Sequence, residues 1–266
     1  MTDENNIKIT RVEDMKKILV VLMSALALMS IQVQAQSLDV QGLIRQISND
    51  PGRADADKAR DPGRRPITQL NFLGVEEGMT VIDLVAAAGY YTEVLSNVVG
   101  PSGKVYMQNS AASLTGNRGE RTAAAIDQRL ANSRLANVEP ITSDPDDLPL
   151  PDNLLDAAII ALEFHELYRS DNPNAAADFL AEMRRVLKVG GVLGVIEHAG
   201  HPVYDNGALH RALESQVVAD AQSAGLFVEA SGKNLRNIED NRSGSIFAEG
   251  MRGATDRFVL RIIKKR

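Results

Sequence analysis

The chain contains no cysteine, and this absence removes several kinds of chemistry at once. Disulfide bonds, thiol nucleophiles and zinc–thiolate sites all need the missing side chain. A lipoprotein signal is excluded as well, because lipidation at the cleavage point also needs a cysteine. The absence is compatible with an oxidising compartment but does not establish one.

Motifs of three other functional classes are also missing. No Gly-x-Ser-x-Gly occurs, so the nucleophile elbow of many hydrolases has no support. No glycine-rich loop continues into a phosphate-binding lysine, so phosphoryl transfer has none either. The formal net charge is −6, and no basic cluster is present that could neutralise nucleic-acid phosphates. We therefore predict no nucleic-acid partner.

The first 35 residues have the pattern of an N-terminal extension followed by a signal peptide. Met15-Lys-Lys17 supplies a basic start, residues 18–31 are uncharged and mostly apolar, and Gln32–Ala35 ends in a small-x-small cleavage pattern. An apolar core of about 14 residues is short for a spanning helix, which needs roughly 20. We predict translation from Met15, cleavage after Ala35, a periplasmic or secreted mature chain, and no stable membrane anchor.

The remaining sequence divides into a lead-in and one domain. Residues 36–75 are predicted as a helical lead-in with a short helix at 67–73, and residues 76–266 as the domain. Strand signals occur at 80–85, 104–108, 138–142, 156–162, 192–197, 226–230 and 256–264. Helix signals lie between them at 90–99, 120–136, 174–188 and 207–224. Continuously apolar runs such as residues 157–162 are typical of parallel strands covered on both faces. The alternation predicts an α/β fold with a doubly wound sheet.

Ligands of such sheets bind off the carboxyl ends of the strands. Four segments that could contact a ligand fall there: the turn from Asp83 to Gly89, Gln108-Asn109, residues 143–147 and residues 163–166. A helix N-terminus after the first turn would favour negative charge on the ligand. These segments are the candidate site.

In this order, and together with residues 148–153 and 187–191, the segments resemble the class I S-adenosylmethionine-dependent methyltransferases over about residues 76–200. Residues 60–66 and 253–258 are similar to a family of exported predicted methyltransferases. The resemblance implies a Rossmann-like, seven-stranded sheet with an antiparallel last strand. It also implies S-adenosylmethionine as the cofactor and a small molecule as the methyl acceptor.

The resemblance further implies roles for single residues. The cofactor-binding set would be Asp83, Val85, Ala86, Gly89, Asn109, Asp144, Pro145 and Glu163. Asp83 would anchor the turn, and Asp144 matches an acid that receives the adenine amino group. Asn109 falls where the family usually has an acid that binds both ribose hydroxyls. It offers one acceptor oxygen without charge, so we expect a weaker contact.

Two positions of the turn where glycine is expected hold Val85 and Ala87. A β-branched side chain is stiff and disfavours a positive φ, so we expect Val85 to weaken the cofactor site. This leaves an alternative function open: an exported, non-catalytic ligand-binding protein on a methyltransferase-like scaffold. An NAD site matches less well, because only Gly89 remains of the three glycines in Gly-x-Gly-x-x-Gly.

All four histidines lie in the second half of the chain. His165 follows the fourth strand and His198 the fifth, so both should face one crevice. We predict them as the catalytic residues, one of them a general base, with a plain pocket-wall role as the alternative. Glu197, His198 and His201 offer a metal alternative. Because strand alternation should turn Glu197 away from His198, we predict no metal site there.

The predicted substrate-side residues come from three segments: Asp61, Arg64, Tyr90 and Glu166. Asp61 and Arg64 precede the domain and could fold across the crevice as a lid. A solvated charged face is the simpler alternative for them. Tyr90 is the first residue of the helix that follows the turn from Asp83 to Gly89, which is called the ligand turn below.

Overall fold

The structure is a computed structural model that describes residues 38–266. The predicted extension, signal peptide and cleavage point lie outside the described residues. Within residues 38–266, no helix combines the length and apolar character needed to cross a membrane.

A helical lead-in precedes the sheet. Its helices are α1 (Val40–Asn49), α2 (Asp55–Lys58), α3 (Asp61–Arg64) and α4 (Pro66–Leu73). Asp39 caps α1 by accepting from the Gly42 amide at 2.8 Å. Gly194 in the sheet permits the close approach of α4, since an added Cβ would lie 2.4 Å from Leu73 Cδ1. The lead-in is therefore packed against the sheet. Its predicted division from the domain at residue 75 stays a prediction.

Seven strands form one sheet, which confirms the predicted fold. The strands are β1 (Thr80–Leu84), β2 (Lys104–Asn109), β3 (Val138–Thr142), β4 (Leu155–Ala161), β5 (Leu187–His198), β6 (Phe227–Gly232) and β7 (Arg257–Ile263). Their order is β3-β2-β1-β4-β5-β7-β6. Strands β1 to β5 run parallel, and β7 is antiparallel to β5 and β6. The carboxyl ends of β1, β2, β3, β4 and β5 therefore meet at one edge.

Helices cover the central strands. The remaining α-helices are α5 (Tyr90–Val99), α6 (Gly116–Leu130), α7 (Ala175–Val186) and α8 (Glu214–Ser223). Short 3-10 segments occupy Ala112–Leu114, Ala131–Ser133 and Phe164–Arg169. The apolar runs of β1, β4 and β5 are buried, with Ile82, Ile160 and Val195 inaccessible to solvent. Burial on both faces is the reason for their continuously apolar sequence.

Two predicted helix boundaries are wrong for identifiable reasons. The helix expected at 207–224 begins only at Glu214, because Ala212 pairs with the end of β5. The Ala212 amide donates to the His198 carbonyl at 3.0 Å, which draws the preceding segment away from helical geometry. The helix expected at 174–188 ends at Val186, because Leu187 already pairs with Leu155 of β4. Residues 190–191 therefore lie inside β5 and do not terminate the helix.

The helix expected at 120–136 is also displaced. The α6 helix spans Gly116–Leu130, and the chain leaves helical geometry at Asn132, whose φ is 57°. Arg118, in the first turn of α6, is near enough to Glu163 for its charge to lower the pKa of that carboxyl.

Candidate functional site

The turn after β1 has a backbone shape typical of glycine, although most of its residues are not glycine. Val85 has φ 50°, Ala87 has φ 48° and Gly89 has φ 83°. The left-handed region is unfavourable for side chains with a Cβ, and most of all for β-branched ones. Val85 nevertheless adopts a positive φ at an energetic cost, and its expected weakening of the cofactor site stays a prediction. Tertiary contacts hold the turn in this shape.

Gln108, at the end of β2, supplies one set of these contacts. Its fully buried side chain accepts from the Val85 amide through Oε1 at 2.8 Å. Its backbone carbonyl accepts from the Ala86 amide at 2.9 Å. Its Nε2 donates to the Ser143 carbonyl at 2.7 Å. One side chain thus ties the turn after β1 to the turn after β3.

Asn109 supplies a further contact and leaves groups free for a ligand. Its Nδ2 donates to the Ala87 carbonyl at 3.1 Å, so the nitrogen serves the turn. Its Oδ1 is left as the only side-chain acceptor at the position where the family usually has an acid. Among residues 38–266 the amides of Ala87 and Ala88 have no acceptor. Adjacent free amides of this kind favour an anionic or carbonyl-bearing ligand.

Arg129 of α6 fixes the far end of the turn. Its Nε donates to the Ala88 carbonyl at 2.6 Å, and its Nη2 donates to Asp57 of α2 at 2.6 Å. Its Nη1 forms an ion pair with Glu93 of α5, whose carboxylate is fully buried. Buried charges of this kind are tolerated when each has several partners. The network therefore locks α2, α5 and α6 around the turn.

Asp83 is buried at the end of β1 and accepts from Thr92 Oγ1 at 2.6 Å. The carboxylate thus bonds to the first turns of α5. Burial raises the pKa of Asp83 to about 6, against the opposing effect of the Thr92 bonds and the positive charges of Arg64 and Arg129. Tyr91 also faces this carboxyl, and burial raises the pKa of Tyr91 to about 12.

The end of β3 offers polar groups beside an apolar wall. Asp144 is exposed and Pro145 is half-buried. The buried hydroxyl of Ser143 has no hydrogen-bond partner among the described residues. A cavity of about 120 Å³ lies between β2, β3 and α6, lined in part by Ile126 and Thr142. The lining of this cavity is mostly apolar, with Asn109, Asp127 and Thr142 as its polar members.

A cluster of ionisable side chains follows β4. His165 is buried, with Nδ1 3.1 Å from Glu197 Oε1 and Nε2 3.1 Å from Glu166 Oε1. Glu197 is fully buried and also accepts from the His165 amide at 3.0 Å. His210 Nδ1 lies 2.8 Å from the same Glu166 oxygen. Next to the cluster, burial raises the pKa of Glu163 to about 7, partly offset by the charge of His165.

The two histidines predicted as catalytic lie together, but their pKa values are shifted in opposite directions. Their ring centres are 6.3 Å apart. Burial opposes a charge on His165, but the carboxylates of Glu197, Glu166 and Glu163 outweigh it and raise its pKa. Burial lowers the pKa of His198 to about 3, so this ring is neutral, with Nδ1 2.8 Å from Thr255 Oγ1. A general-base role for either ring stays a prediction.

The metal alternative of Glu197, His198 and His201 does not form. The Glu197 carboxylate faces His165, whereas His201 accepts from the Val203 amide within its own loop at 3.4 Å. The histidines and carboxylates that do converge are those of His165, Glu166 and His210.

The lead-in covers the start of α5. Asp61 forms a two-pronged ion pair with Arg53 at 2.6 and 2.9 Å and accepts from the Tyr90 hydroxyl at 2.7 Å. The Arg64 guanidinium lies 4.4 Å from the centre of the Tyr90 ring. Burial and the bond to Asp61 raise the pKa of Tyr90. Asp61 and Arg64 are half-buried beside the ligand turn and do not form a solvated face.

Sequence reasoning missed the roles of three residues. The alternation of side chains along β2 places Gln108 on the same face as Tyr106, which packs against the hydrophobic core. This pattern indicates that the Gln108 side chain is buried. Arg129 carries no local signal, since its partner Glu93 is 36 positions away. His210 was assigned to a helix, which concealed its approach to Glu166.

The strand order, the antiparallel β7 and the turn after β1 define a class I methyltransferase fold. The model of the ubiE/COQ5 methyltransferase family matches residues 64–214, and the chain belongs to this family. The resemblance predicted from the sequence is therefore confirmed.

Individual relatives agree with this assignment. The chain is 33% identical over 128 residues to a ubiquinone/menaquinone biosynthesis C-methyltransferase UbiE from Pseudomonas savastanoi pv. phaseolicola, covering 48% of this chain and 45% of that protein. A UbiE from Pseudomonas fluorescens is 30% identical over 183 residues, covering 69% and 62%. The chain thus spans about half the length of the first of these relatives and somewhat more of the second. A crystal structure of a SAM dependent methyltransferase from Aquifex aeolicus has a TM-score of 0.57 and 25% identity, covering 85% of this chain and 98% of that one.

Because the turn is strained, replacing alanine by glycine should have opposite effects on the free energy of unfolding at Ala87 and at Ala124, which are both exposed. Ala87→Gly should raise the free energy of unfolding by about 0.5–1 kcal/mol, because glycine adopts a positive φ without strain. Ala124→Gly, on the exposed face of α6, should lower it by about 1 kcal/mol. Urea denaturation of both variants measures the difference. A loss of stability in Ala87→Gly would contradict the left-handed turn.

The buried Asp83 predicts a pH-dependent loss of stability. Its pKa is about 6 in the folded chain and near 3.8 when unfolded, so the fold favours the protonated form. The contribution of Asp83 to stability is therefore fully present below the unfolded pKa, falls as pH rises through the folded pKa, and is lost above about pH 7. Relative to Asp83→Asn, the wild type should lose about 2 kcal/mol between pH 4.5 and 7.5. Urea denaturation of both proteins at four pH values tests this, and a constant difference between them would overturn it.

Proposed function

We propose that the protein transfers the methyl group of S-adenosylmethionine to a small molecule. The ubiE/COQ5 family and the SAM dependent methyltransferase from Aquifex aeolicus support this cofactor. The observation that carries the proposal is the turn after β1. It keeps a left-handed backbone at Val85 and Ala87 and leaves two amides without acceptors among the described residues.

The residues at the strand ends fit such a cofactor. The free amides of Ala87 and Ala88 can donate to the carboxylate in the methionine part of the cofactor. Asn109 Oδ1 can accept from a ribose hydroxyl, and exposed Asp144 can accept from the adenine amino group. The unpaired Ser143 hydroxyl adds a polar contact on the same side.

Bound S-adenosylmethionine would supply an electrophilic methyl group. The contribution of the chain is then mainly alignment, since a held nucleophile gains most of its rate from proximity and orientation. His165 is suited to this role, because it is buried and a carboxylate lies 3.1 Å from each of its ring nitrogens. Glu166 is 41% exposed at its side chain and can contact an acceptor that enters from solvent.

The second candidate is an exported, non-catalytic ligand-binding protein on the same scaffold. The replacement of the usual ribose-binding acid by Asn109 favours it, because a neutral amide binds a diol less strongly than a carboxylate does. The two functions differ in whether S-adenosylmethionine binds at physiological concentration.

Calorimetric titration of the full chain with S-adenosylmethionine and its demethylated product separates the two. We expect a dissociation constant in the micromolar range for both ligands. Asp144→Ala should weaken binding about tenfold, the equivalent of one charge-assisted hydrogen bond of about 1.4 kcal/mol. Asp147→Ala removes another exposed carboxylate from the same loop and should leave the affinity unchanged. Absence of binding at millimolar ligand would contradict the methyltransferase proposal and favour the second candidate.

We also propose that this activity lies outside the cytosol. The basic start at Lys16-Lys17, the apolar residues 18–31 and the site at Ala35 support a cleaved export signal. Chemical N-terminal sequencing of the chain from the periplasmic fraction should begin at Gln36. Accumulation of an uncleaved chain in the cytosol would contradict export.

A further inference from the structure

We propose that His165, Glu166 and His210 form a binding site for a divalent transition-metal ion. Two imidazole nitrogens approach one carboxylate oxygen: His165 Nε2 lies 3.1 Å and His210 Nδ1 2.8 Å from Glu166 Oε1. One donor atom from each residue lies within 4.8 Å of the other two. At metal–ligand bonds of about 2.0–2.1 Å, ligand atoms are about 2.9–3.3 Å apart for octahedral to tetrahedral angles. The cluster needs only small side-chain shifts to reach these separations.

The surroundings of His165 match the second sphere of a metal site. Glu197 is fully buried at the end of β5, and its Oε1 lies 3.1 Å from His165 Nδ1. His165 Nδ1 is not aligned for a hydrogen bond as the ring lies, and a small rotation would let Nδ1–H donate to Glu197, which leaves Nε2 to the metal and raises the basicity of the ring. The other ring nitrogen, Nε2, points to Glu166. Because Glu166 is itself a proposed ligand, an ion could bind between the two.

Glu166 and His210 are also oriented by neighbours outside the cluster. Arg169 forms an ion pair with Glu166 Oε2, which leaves Oε1 to face the two imidazoles. The His210 ring packs edge-on against Phe247, with ring centres 4.8 Å apart. These contacts lie away from the proposed donor atoms, so a bound ion would not disturb them.

The protein alone satisfies this cluster poorly. Both imidazoles converge on a single oxygen, and the ring centres of His165 and His210 are only 5.4 Å apart. A shared cation would bind both imidazole nitrogens and the carboxylate in place of this single shared acceptor. The side chains of Glu166 and His210 are 41% and 21% exposed, so an ion can enter from solvent.

The ligand set selects the kind of ion. Two imidazoles and one carboxylate suit Zn²⁺ or Fe²⁺, and nitrogen ligands disfavour Mg²⁺ and Ca²⁺. Three protein ligands leave at least one position open to water or to an oxygen of another molecule. Metal binding in this place goes beyond the proposed methyl transfer and does not depend on it.

Titration of the metal-free full chain, without a polyhistidine tag, with ZnCl₂ tests the site. We expect one equivalent to bind with a micromolar or lower dissociation constant. Loss of a second-sphere partner already costs about 10- to 100-fold in affinity, so His210→Asn and Glu166→Gln should each cost about 100-fold or more. Asparagine is chosen at position 210 because it tolerates the φ of 56° found there.

His201→Asn is the matched control, since His201 lies in the same loop region and outside the cluster. It should bind Zn²⁺ as the wild type does. Thermal unfolding gives a second readout: Zn²⁺ should raise the melting temperature of the wild type and His201→Asn but not that of His210→Asn. Failure of the wild type to bind, or equal loss in His201→Asn and His210→Asn, would overturn the proposal.

Discussion

The guanidinium of Arg129 is the contact on which the ligand turn depends most. It joins the Ala88 carbonyl to Glu93 and Asp57, which belong to helices before and after β1. Removal of one member of a buried ion network leaves the others without compensation, at a cost of about 3–5 kcal/mol. The backbone shape of the turn therefore depends on contacts with α2, α5 and α6 as well as on the residues of the turn itself.

This constraint explains how a turn with few glycines keeps a glycine-like backbone. A left-handed conformation costs roughly 1–2 kcal/mol for a residue with a side chain, and the turn contains two such residues, Val85 and Ala87. Partly buried hydrogen bonds join this turn to the side chains of Gln108, Asn109 and Arg129, and at about 1 kcal/mol each they offset the strain. The turn thus keeps the backbone shape of a glycine-rich turn although Val85 and Ala87 occupy positions where glycine is expected.

The fold could be predicted from the sequence because its signals are local and repeated. Apolar runs at β4 and β5, broken by helices of ordinary length, leave few arrangements other than a doubly wound sheet. The site was only partly predictable. Positions at strand ends, such as Asp83 and His165, follow from topology, whereas the Arg129–Glu93 pair depends on packing between distant segments. His210 was missed because the pairing of Ala212 with β5 overrides the helical pattern.

The two sides of the crevice rely on different physical means. In the turn after β1, backbone amides and the neutral Asn109 lie at the crevice, and the buried ion pair of Arg129 and Glu93 lies behind them. Beyond β4 and β5, ionisable side chains line the crevice directly, and the buried Glu197 lies 3.1 Å from His165 Nδ1. Glu197 accepts from the amides of His165 and His198, and these bonds lower the cost of burying its charge. The carboxylates of Glu197 and Glu166 in turn raise the pKa of His165, so the charge on this side of the crevice is set by the histidine and its acidic neighbours together.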